Sequence, residues 1–384
     1  MPQTRRLLFA VALALVALLP AAASAHPPTG IVVDAQGRIL FSDLETVWRL
    51  EHGGRLTVFR AGVRGRHVHE LSIDREGNVY GADITYEPST VKWIEAVWRR
   101  TPDGRAETYL VAPNADSPRS ISVRRDAEGN TYFVEQDTHT NRETLILKRT
   151  PRGEVTTLAG GAYGHADGRG TLARFRTIGS MAFGNDGSLY VTDAGDLRRV
   201  GTDGEVRTLA QGLEVQLPDD TETGYGGLMG LTVDAGGNVY VADYGRRRVL
   251  KVAADGKVMR VVRAEAPWSP SGVAVADDGR VFVLEVGFKP PNVFSGPRVR
   301  ELSPDGTLKV LANVGEQETD GVHSSTGGDA SPQASVEVKD EDNAEHGKRA
   351  LGLYFGLGVI AIVAIAGLKG FARRISHRDT EVQR

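Results

Sequence analysis

A unit of four short apolar segments recurs six times between Gly30 and Asn313, and this repetition limits the fold more than any other feature of the chain. The first segments read Gly30-Ile31-Val32-Val33, Glu70-Leu71-Ser72-Ile73, Ser120-Ile121-Ser122-Val123, Ser180-Met181-Ala182-Phe183, Gly230-Leu231-Thr232-Val233 and Gly272-Val273-Ala274-Val275. Each leads through a turn glycine (Gly37, Gly77, Gly129, Gly187, Gly237, Gly279) into a second segment. That segment ends six residues later on an acid: Asp43, Asp83, Glu135, Asp193, Asp243 or Glu285. Third segments such as Val47-Trp48-Arg49-Leu50 and Val249-Leu250-Lys251-Val252 follow, then a second glycine turn and a fourth segment. Short runs rich in Val, Leu, Tyr and Thr, joined by Asp-Gly turns, are antiparallel hairpins. Four strands repeated six times predict an all-β, six-bladed β-propeller. Every copy runs from first to fourth strand, so no blade is expected to mix strands from the two ends of the chain.

Several of these segments resemble a known family. Asn78-Val79-Tyr80-Gly81-Ala82-Asp83 and Asn238-Val239-Tyr240-Val241-Ala242-Asp243 are similar to the core of the NHL repeat, and Ala166-Asp167-Gly168-Arg169-Gly170-Thr171-Leu172-Ala173-Arg174-Phe175 is similar to the ADGxGxxARF insertion between NHL blades. The resemblance implies the propeller fold and leaves function open, because NHL propellers include binding scaffolds, lyases and lactonase-like hydrolases. Lactonases of the senescence-marker (SMP-30)/gluconolactonase type, to which the chain is loosely similar, place a Glu, Asn residues and an Asp around one metal. Here Glu70 matches the Glu, but the positions read as its neighbours (Thr29, His69, Arg119, Gly179, Met229, Ser271) offer neither Asn nor Asp. The amidating-lyase type gathers histidines around zinc, which only His69, His139 and His165 imitate.

The segments outside the repeat predict export and a tether. Residues 1–25 read as a signal peptide: Arg5 and Arg6, an apolar run, then Ala23-Ser24-Ala25 as the cleavage site. Arg5-Arg6 also has a faint twin-arginine character, so the export route stays open between Sec and Tat. The propeller is assigned to 26–314. Residues 315–349 carry many acids and few large apolar side chains and are expected to be a disordered linker, spanning roughly 30 Å. Residues 350–368 contain no charge and suit a single membrane-spanning helix. The tail 369–384, with Lys369, Arg373, Arg374 and Arg378, is expected on the cytoplasmic side. These readings place the propeller outside the cytoplasm, periplasmic or at the cell surface. The chain has no Cys, which excludes disulfides and thiolate chemistry, and a formal net charge of −3, which argues against a nucleic-acid partner.

The turns between first and second and between third and fourth strands are short and uniform, whereas the long connections all fall on the other face. These are 84–96, 136–144 and 286–298 within blades, and 160–178 and 213–229 between blades. Loops positioned by a rigid scaffold carry recognition, so this looped face is the expected functional one. His67, Arg119, His139, His165, Tyr225, Arg246 and Trp268 are its candidate binding residues. His69 and Glu70, at the channel mouth, are the candidate catalytic pair and the candidate ligands of one divalent ion, calcium or zinc. The ring of acids suits calcium less than it suits capping of the loops that follow the strands. Two functions follow. The first is a membrane-tethered binding scaffold that recognises an extracytoplasmic protein, peptide or glycan. The alternative is a metal-dependent hydrolase or lyase with its site at the channel mouth.

Overall fold

A computed structural model describes residues 27–87, 92–115, 123–136, 143–223, 226–289 and 293–314. They form six sheets that follow one another along the chain. Blade 1 consists of β1 (Ile31–Val33), β2 (Ile39–Ser42), β3 (Val47–Leu50) and β4 (Leu56–Arg60). Blade 2 consists of β5 (His67–Ile73), β6 (Val79–Glu87), β7 (Lys92–Arg100) and β8 (Ala106–Ala115). Blade 3 has β9 (Val123–Arg125), β10 (Thr131–Gln136), β11 (Glu143–Arg149) and β12 (Val155–Ala162). Blade 4 has β13 (Gly168–Arg169), β14 (Ile178–Phe183), β15 (Leu189–Asp193), β16 (Asp196–Val200) and β17 (Glu205–Ala210). Blade 5 has β18 (Leu228–Val233), β19 (Val239–Asp243), β20 (Arg248–Val252) and β21 (Val258–Arg263). Blade 6 has β22 (Trp268–Val275), β23 (Val281–Lys289), β24 (Val293–Leu302) and β25 (Leu308–Asn313).

All neighbouring strands are antiparallel, and every blade is built from consecutive strands, so the six-bladed propeller of four-stranded blades stands with no mixed closing blade. The one addition is β13, from the ADGxGxxARF segment, which pairs with β17 as a fifth, outer strand of blade 4. The expected signal peptide, linker, membrane helix and tail lie outside the described residues. Among the described residues no helix is long and apolar enough to cross a membrane.

One face is uniform for a local reason. At each first-to-second turn the glycine N–H donates back three residues, as in Gly37 to Asp34, Gly77 to Asp74 and Gly129 to Asp126. Those glycines have φ between +74° and +84°, a conformation that strains other residues. At Asp34, Asp74, Asp126 and Asp234 the carboxylate also accepts the N–H four residues on, at 2.8–2.9 Å, which closes the turn a second time.

The opposite face differs from expectation in its construction. Two connections read as loops are strand pairs that continue the blade. Pairing in blade 2 runs on from Ile84↔Glu95 to Glu87↔Lys92, and in blade 6 from Gly287↔Ser295 to Lys289↔Val293. Once register is set, each further residue pair satisfies its own backbone groups, and the hairpin extends until the chain must turn. These two hairpins stand on either side of blade 1, whose own connection is the short turn from Asp43 to Thr46.

Apolar layers fill the gaps between blades. Ile146, Phe175, Met181 and Val191 are completely buried between blades 3 and 4, and Val239, Val241, Leu197 and Val252 between blades 4 and 5. Similar layers join blades 5 and 6, 6 and 1, and 1 and 2. Burial of such side chains contributes about 1.5–3 kcal/mol each. Among the described residues no comparable apolar cluster joins blades 2 and 3.

Candidate functional site

The innermost strands decide what lines the propeller axis. Their register follows from the first-to-second turn, and by that register Gly30, Glu70, Ser180, Gly230 and Gly272 occupy equivalent positions, four residues before the turn. At Gly30, Gly230 and Gly272 an added Cβ would lie 2.9, 2.9 and 2.3 Å from neighbouring atoms, backbone among them. Blades 5, 6 and 1 therefore meet backbone against backbone, and only glycine fits there. Gly30 meets the backbone of Glu70 and Leu71 in the same way, so blade 2 follows directly, with Glu70 at the equivalent position.

Glu70 is buried, and both of its oxygens are engaged. Oε2 accepts from Nη1 of Arg124 at 2.8 Å, and Oε1 accepts from Oγ of Ser180 at 3.3 Å. Arg124 belongs to blade 3 and Ser180 to blade 4, so one carboxylate ties three blades together across the channel. Glu70 and Arg124 expose only 6% and 11% of their side chains, and a pair this deep interacts far more strongly than one on the surface.

His69, the neighbour of Glu70, is also buried, and its carbonyl accepts from both the backbone N–H (2.8 Å) and the hydroxyl (2.9 Å) of Thr29 in blade 1. His67 is half-buried with its ring edge-on to that of His69, centroids 5.9 Å apart. His67 and His69 therefore meet through their rings, while the Glu70 carboxylate meets Arg124 and Ser180.

The structure does not bring the other candidates beside them. His165 sits beside the outermost part of blade 4, with Nδ1 3.5 Å from Asp196 Oδ2 and Nε2 3.4 Å from the Thr208 hydroxyl of β17. Arg246 turns its backbone N–H and its guanidinium toward Asp243, at 3.2 and 3.6 Å. Trp268 is partly buried under the guanidinium of Arg298, 4.1 Å from the ring centroid, so it braces the blade 6 hairpin. Arg119, His139 and Tyr225 lie outside the described residues.

Five acids of the ring have structural partners. Asp43 accepts from Glu45 N–H, Thr46 N–H and Trp48 Nε1, and Asp83 from Trp98 Nε1 and Arg60. Asp193 accepts from Arg176 and Thr177 N–H and from Arg198, and Asp243 from Arg246 N–H and Arg248. Glu285 takes Arg298 and Arg300. At Asp43, Asp193 and Asp243 capping is therefore joined by a bond to the third strand, and Asp83 and Glu285 are held by side chains, a role the sequence reading did not include. Burial pushes the Asp243 carboxyl up, against the opposing pull of Arg248 and Arg246, and burial alone lowers Arg247.

The same third-strand arginines fasten the long connections. Arg198 is fully buried and donates to Asp193, Asp167 and the carbonyls of Ala166 and Arg174. Arg248 does the same with Asp243, Asp220 and the carbonyls of Leu213 and Val215. These two connections are held against the blades rather than offered as open loops.

Arg124 is the residue that sequence reasoning missed. The strand of blade 3 was placed at Ser120–Val123, whereas β9 is Val123–Arg125, paired as Val123↔Phe133 and Arg124↔Tyr132. Arg119 is therefore not the counterpart of His69. The signal was present: the Asp126–Gly129 turn, aligned with Asp74–Gly77, sets the register two residues further on.

A divalent ion is not matched by this arrangement. Among the described residues no group of three or more His, Asp or Glu gathers to hold one, and the Glu70 carboxylate already carries a guanidinium and a hydroxyl.

No family profile and no curated protein matches the chain. Solved structures similar to it include virginiamycin B lyase from Staphylococcus aureus, at 15% identity over 76% of this chain and 86% of that one, TM-score 0.44. A gluconolactonase from Xanthomonas campestris is 16% identical over 69% and 84%, TM-score 0.46. The PQQ-bound aldose sugar dehydrogenase from Streptomyces coelicolor is 16% identical over 76% and 97%, TM-score 0.48. These neighbours are enzymes, and at such distances the likeness assigns none of their activities to this chain.

Proposed function

We propose that this chain is a membrane-tethered recognition propeller of the NHL kind, which binds an extracytoplasmic protein, peptide or glycan on its looped face. The observation that carries the reading is the division of the two faces. One carries short glycine turns of a single design. The other carries two projecting hairpins beside blade 1 and two connections pinned by buried arginines. A rigid body with one elaborated rim presents a preorganised surface, which lowers the ordering cost of binding. The signal peptide, the linker and the helix at 350–368 supply export and the tether in this reading.

The test is binding by the detergent-purified protein to peptide and glycan arrays, compared with a variant whose residues 86–93 are replaced by Asn-Gly. Loss of the hits in the variant supports recognition between the hairpins. Identical hits from both proteins would sink it.

The hydrolase or lyase reading keeps one observation of its own, the ring contact of His67 with buried His69 on the strand that carries buried Glu70. It requires the Glu70–Arg124 pair to open. Turnover of a lactone, ester or lyase substrate that disappears in Glu70→Gln would establish it.

A further inference from the structure

Among the described residues three arginines are buried, Arg198, Arg247 and Arg248, and they differ in what balances their charge. Arg198 meets Asp193 and Asp167, and Arg248 meets Asp243 and Asp220. Arg247 meets only backbone: its Nη1 donates to the carbonyls of Pro267 and Trp268, both at 2.8 Å. The nearest acids in the chain are taken elsewhere, Asp243 by Arg246 and Arg248, and Asp220 by Arg248 and Arg260. Glu265, exposed just before the segment that Arg247 grips, forms no ion pair among the described residues. Burial lowers the Arg247 pKa, yet an arginine stays protonated at physiological pH, so the charge persists without a counter-charge.

The guanidinium is held in place and half used. Nε has no partner, and Nη2 bonds to no described residue. The two bonds from Nη1 fix the plane of the group and leave the edge that carries Nε–H and Nη2–H, two parallel donors that match the two oxygens of a carboxylate. The backbone at Arg247 is left-handed, with φ +54°, a conformation that glycine or asparagine adopts at less cost. Strain of this kind persists where a particular side chain is required. Arg247 ends the connection between β19 and β20 on the looped face. The strand that it grips, β22, starts at the foot of the blade 6 hairpin, where Trp268 pairs with Gly287.

We propose that Arg247 is an anion-recognition residue of the looped face, and that its unused edge takes a carboxylate of a peptide ligand. This site rests on the recognition reading above and narrows its ligand. A peptide is favoured over an acidic glycan because the neighbouring Trp268 ring, on which a sugar would stack, is already covered. Arg298 lies 4.1 Å from its centroid, and an added Cβ at Gly296 would be 2.8 Å from the ring.

The experiment is saturation-transfer NMR on the full chain in a non-ionic detergent, with N-acetylglycine as the peptide carboxylate and N-acetylglycinamide as its neutral counterpart. Wild type is expected to bind the acid about tenfold more tightly than the amide, and Arg247→Gln to abolish the difference. Arg247→Lys keeps the charge without the parallel donors and is expected to lose most of the preference; it serves where Arg247→Gln does not fold. Methyl glucuronide and inorganic phosphate are titrated alongside. Equal binding of acid and amide by wild type overturns the proposal. So does a preference that survives intact in a folded Arg247→Gln or Arg247→Lys, and so does tighter binding of methyl glucuronide or phosphate than of N-acetylglycine. Array hits that vanish with the hairpin, together with no preference for the acid, would sink the Arg247 site alone. An Arg247-dependent preference beside identical array hits from both proteins would sink the hairpin reading alone.

Discussion

Between blades 3 and 4, Ile146, Phe175, Met181 and Val191 are sealed from solvent in an apolar layer, with the Arg198 guanidinium over the Phe175 ring, whereas between blades 2 and 3 the described contacts are polar. There Arg124 meets Glu70, Arg125 donates to the Tyr80 hydroxyl at 2.7 Å, and Arg125 lies 3.6 Å from Asp74. The two gaps have the same architecture and the same strand register, yet one is closed by burial of area and the other by charge. The difference teaches that a propeller need not treat its blades alike. An apolar gap tolerates small shifts of its side chains, since dispersion and burial are not directional. A charged gap has few geometries in which every donor and acceptor is met, so it sets how two particular blades sit.

The comparison breaks most visibly in the apolar gap. Phe175→Ala is expected to lower stability by about 3–5 kcal/mol in urea denaturation, since a fully buried aromatic leaves a cavity. A loss below about 1 kcal/mol would mean that this gap is looser than its burial implies. In the polar gap, Arg124→Gln is expected to cost about 3 kcal/mol, at the low end for a buried pair because both side chains keep slight exposure. Glu70→Gln/Arg124→Gln should recover more than half of that loss, since no charge is then left uncompensated. A neutral Arg124→Gln would show that the pair does not hold blades 2 and 3.

Gly272→Ala tests the third way of closing the ring, backbone against backbone. Its Cβ would lie 2.3 Å from the carbonyl oxygen of Thr29, and overpacking of this kind costs about 1–3 kcal/mol. An unchanged melting temperature would show that blades 6 and 1 are free to move apart.

The smallest effect separates the two gaps by pH. Tyr80 and Tyr132 are equivalent residues, one facing the polar gap and one in the apolar layer. Burial first, and then the hydrogen bond to Asp74 or Asp126, raises the pKa of each above the usual tyrosine value. The folded state then holds those protons more tightly than the unfolded chain does, so stability is fully present below about pH 10 and falls as pH rises above it. Tyr132→Phe and Tyr80→Phe should both flatten that alkaline decline, Tyr132→Phe the more. Equal flattening by the two variants would mean that Arg125 does nothing to hold down the Tyr80 pKa.

Most of the fold was legible because it is written in period. Alternating apolar residues and glycines at a fixed interval from acids define hairpins wherever they occur, with no reference to distant parts of the chain. The ADGxGxxARF segment was legible as an insertion, but its conversion into β13 was not, since an edge strand needs a partner edge and the match of Gly168 to Val206 exists only once blade 4 is built. The 84–96 and 286–298 segments show the same limit. Their composition reads as loop, and only the pairing of Thr85 with Ile94 or Phe288 with Phe294 makes them strands.

The site divides in the same manner. Local spacing alone put His67, His69 and Glu70 on one strand, and the period of two along it accounts for the meeting of the His67 and His69 rings. Local spacing also set the uniform turns and the acids that close them, features that span fewer than about fifteen residues, and their sixfold recurrence set the number of blades. The meeting of Glu70 with Arg124 and Ser180, across 54 and 110 residues of chain, was decided by the tertiary structure. So was the separation of His165 from that site. A side chain's partners depend on how six blades close around one axis, and closure is a property of the whole ring that no single repeat contains.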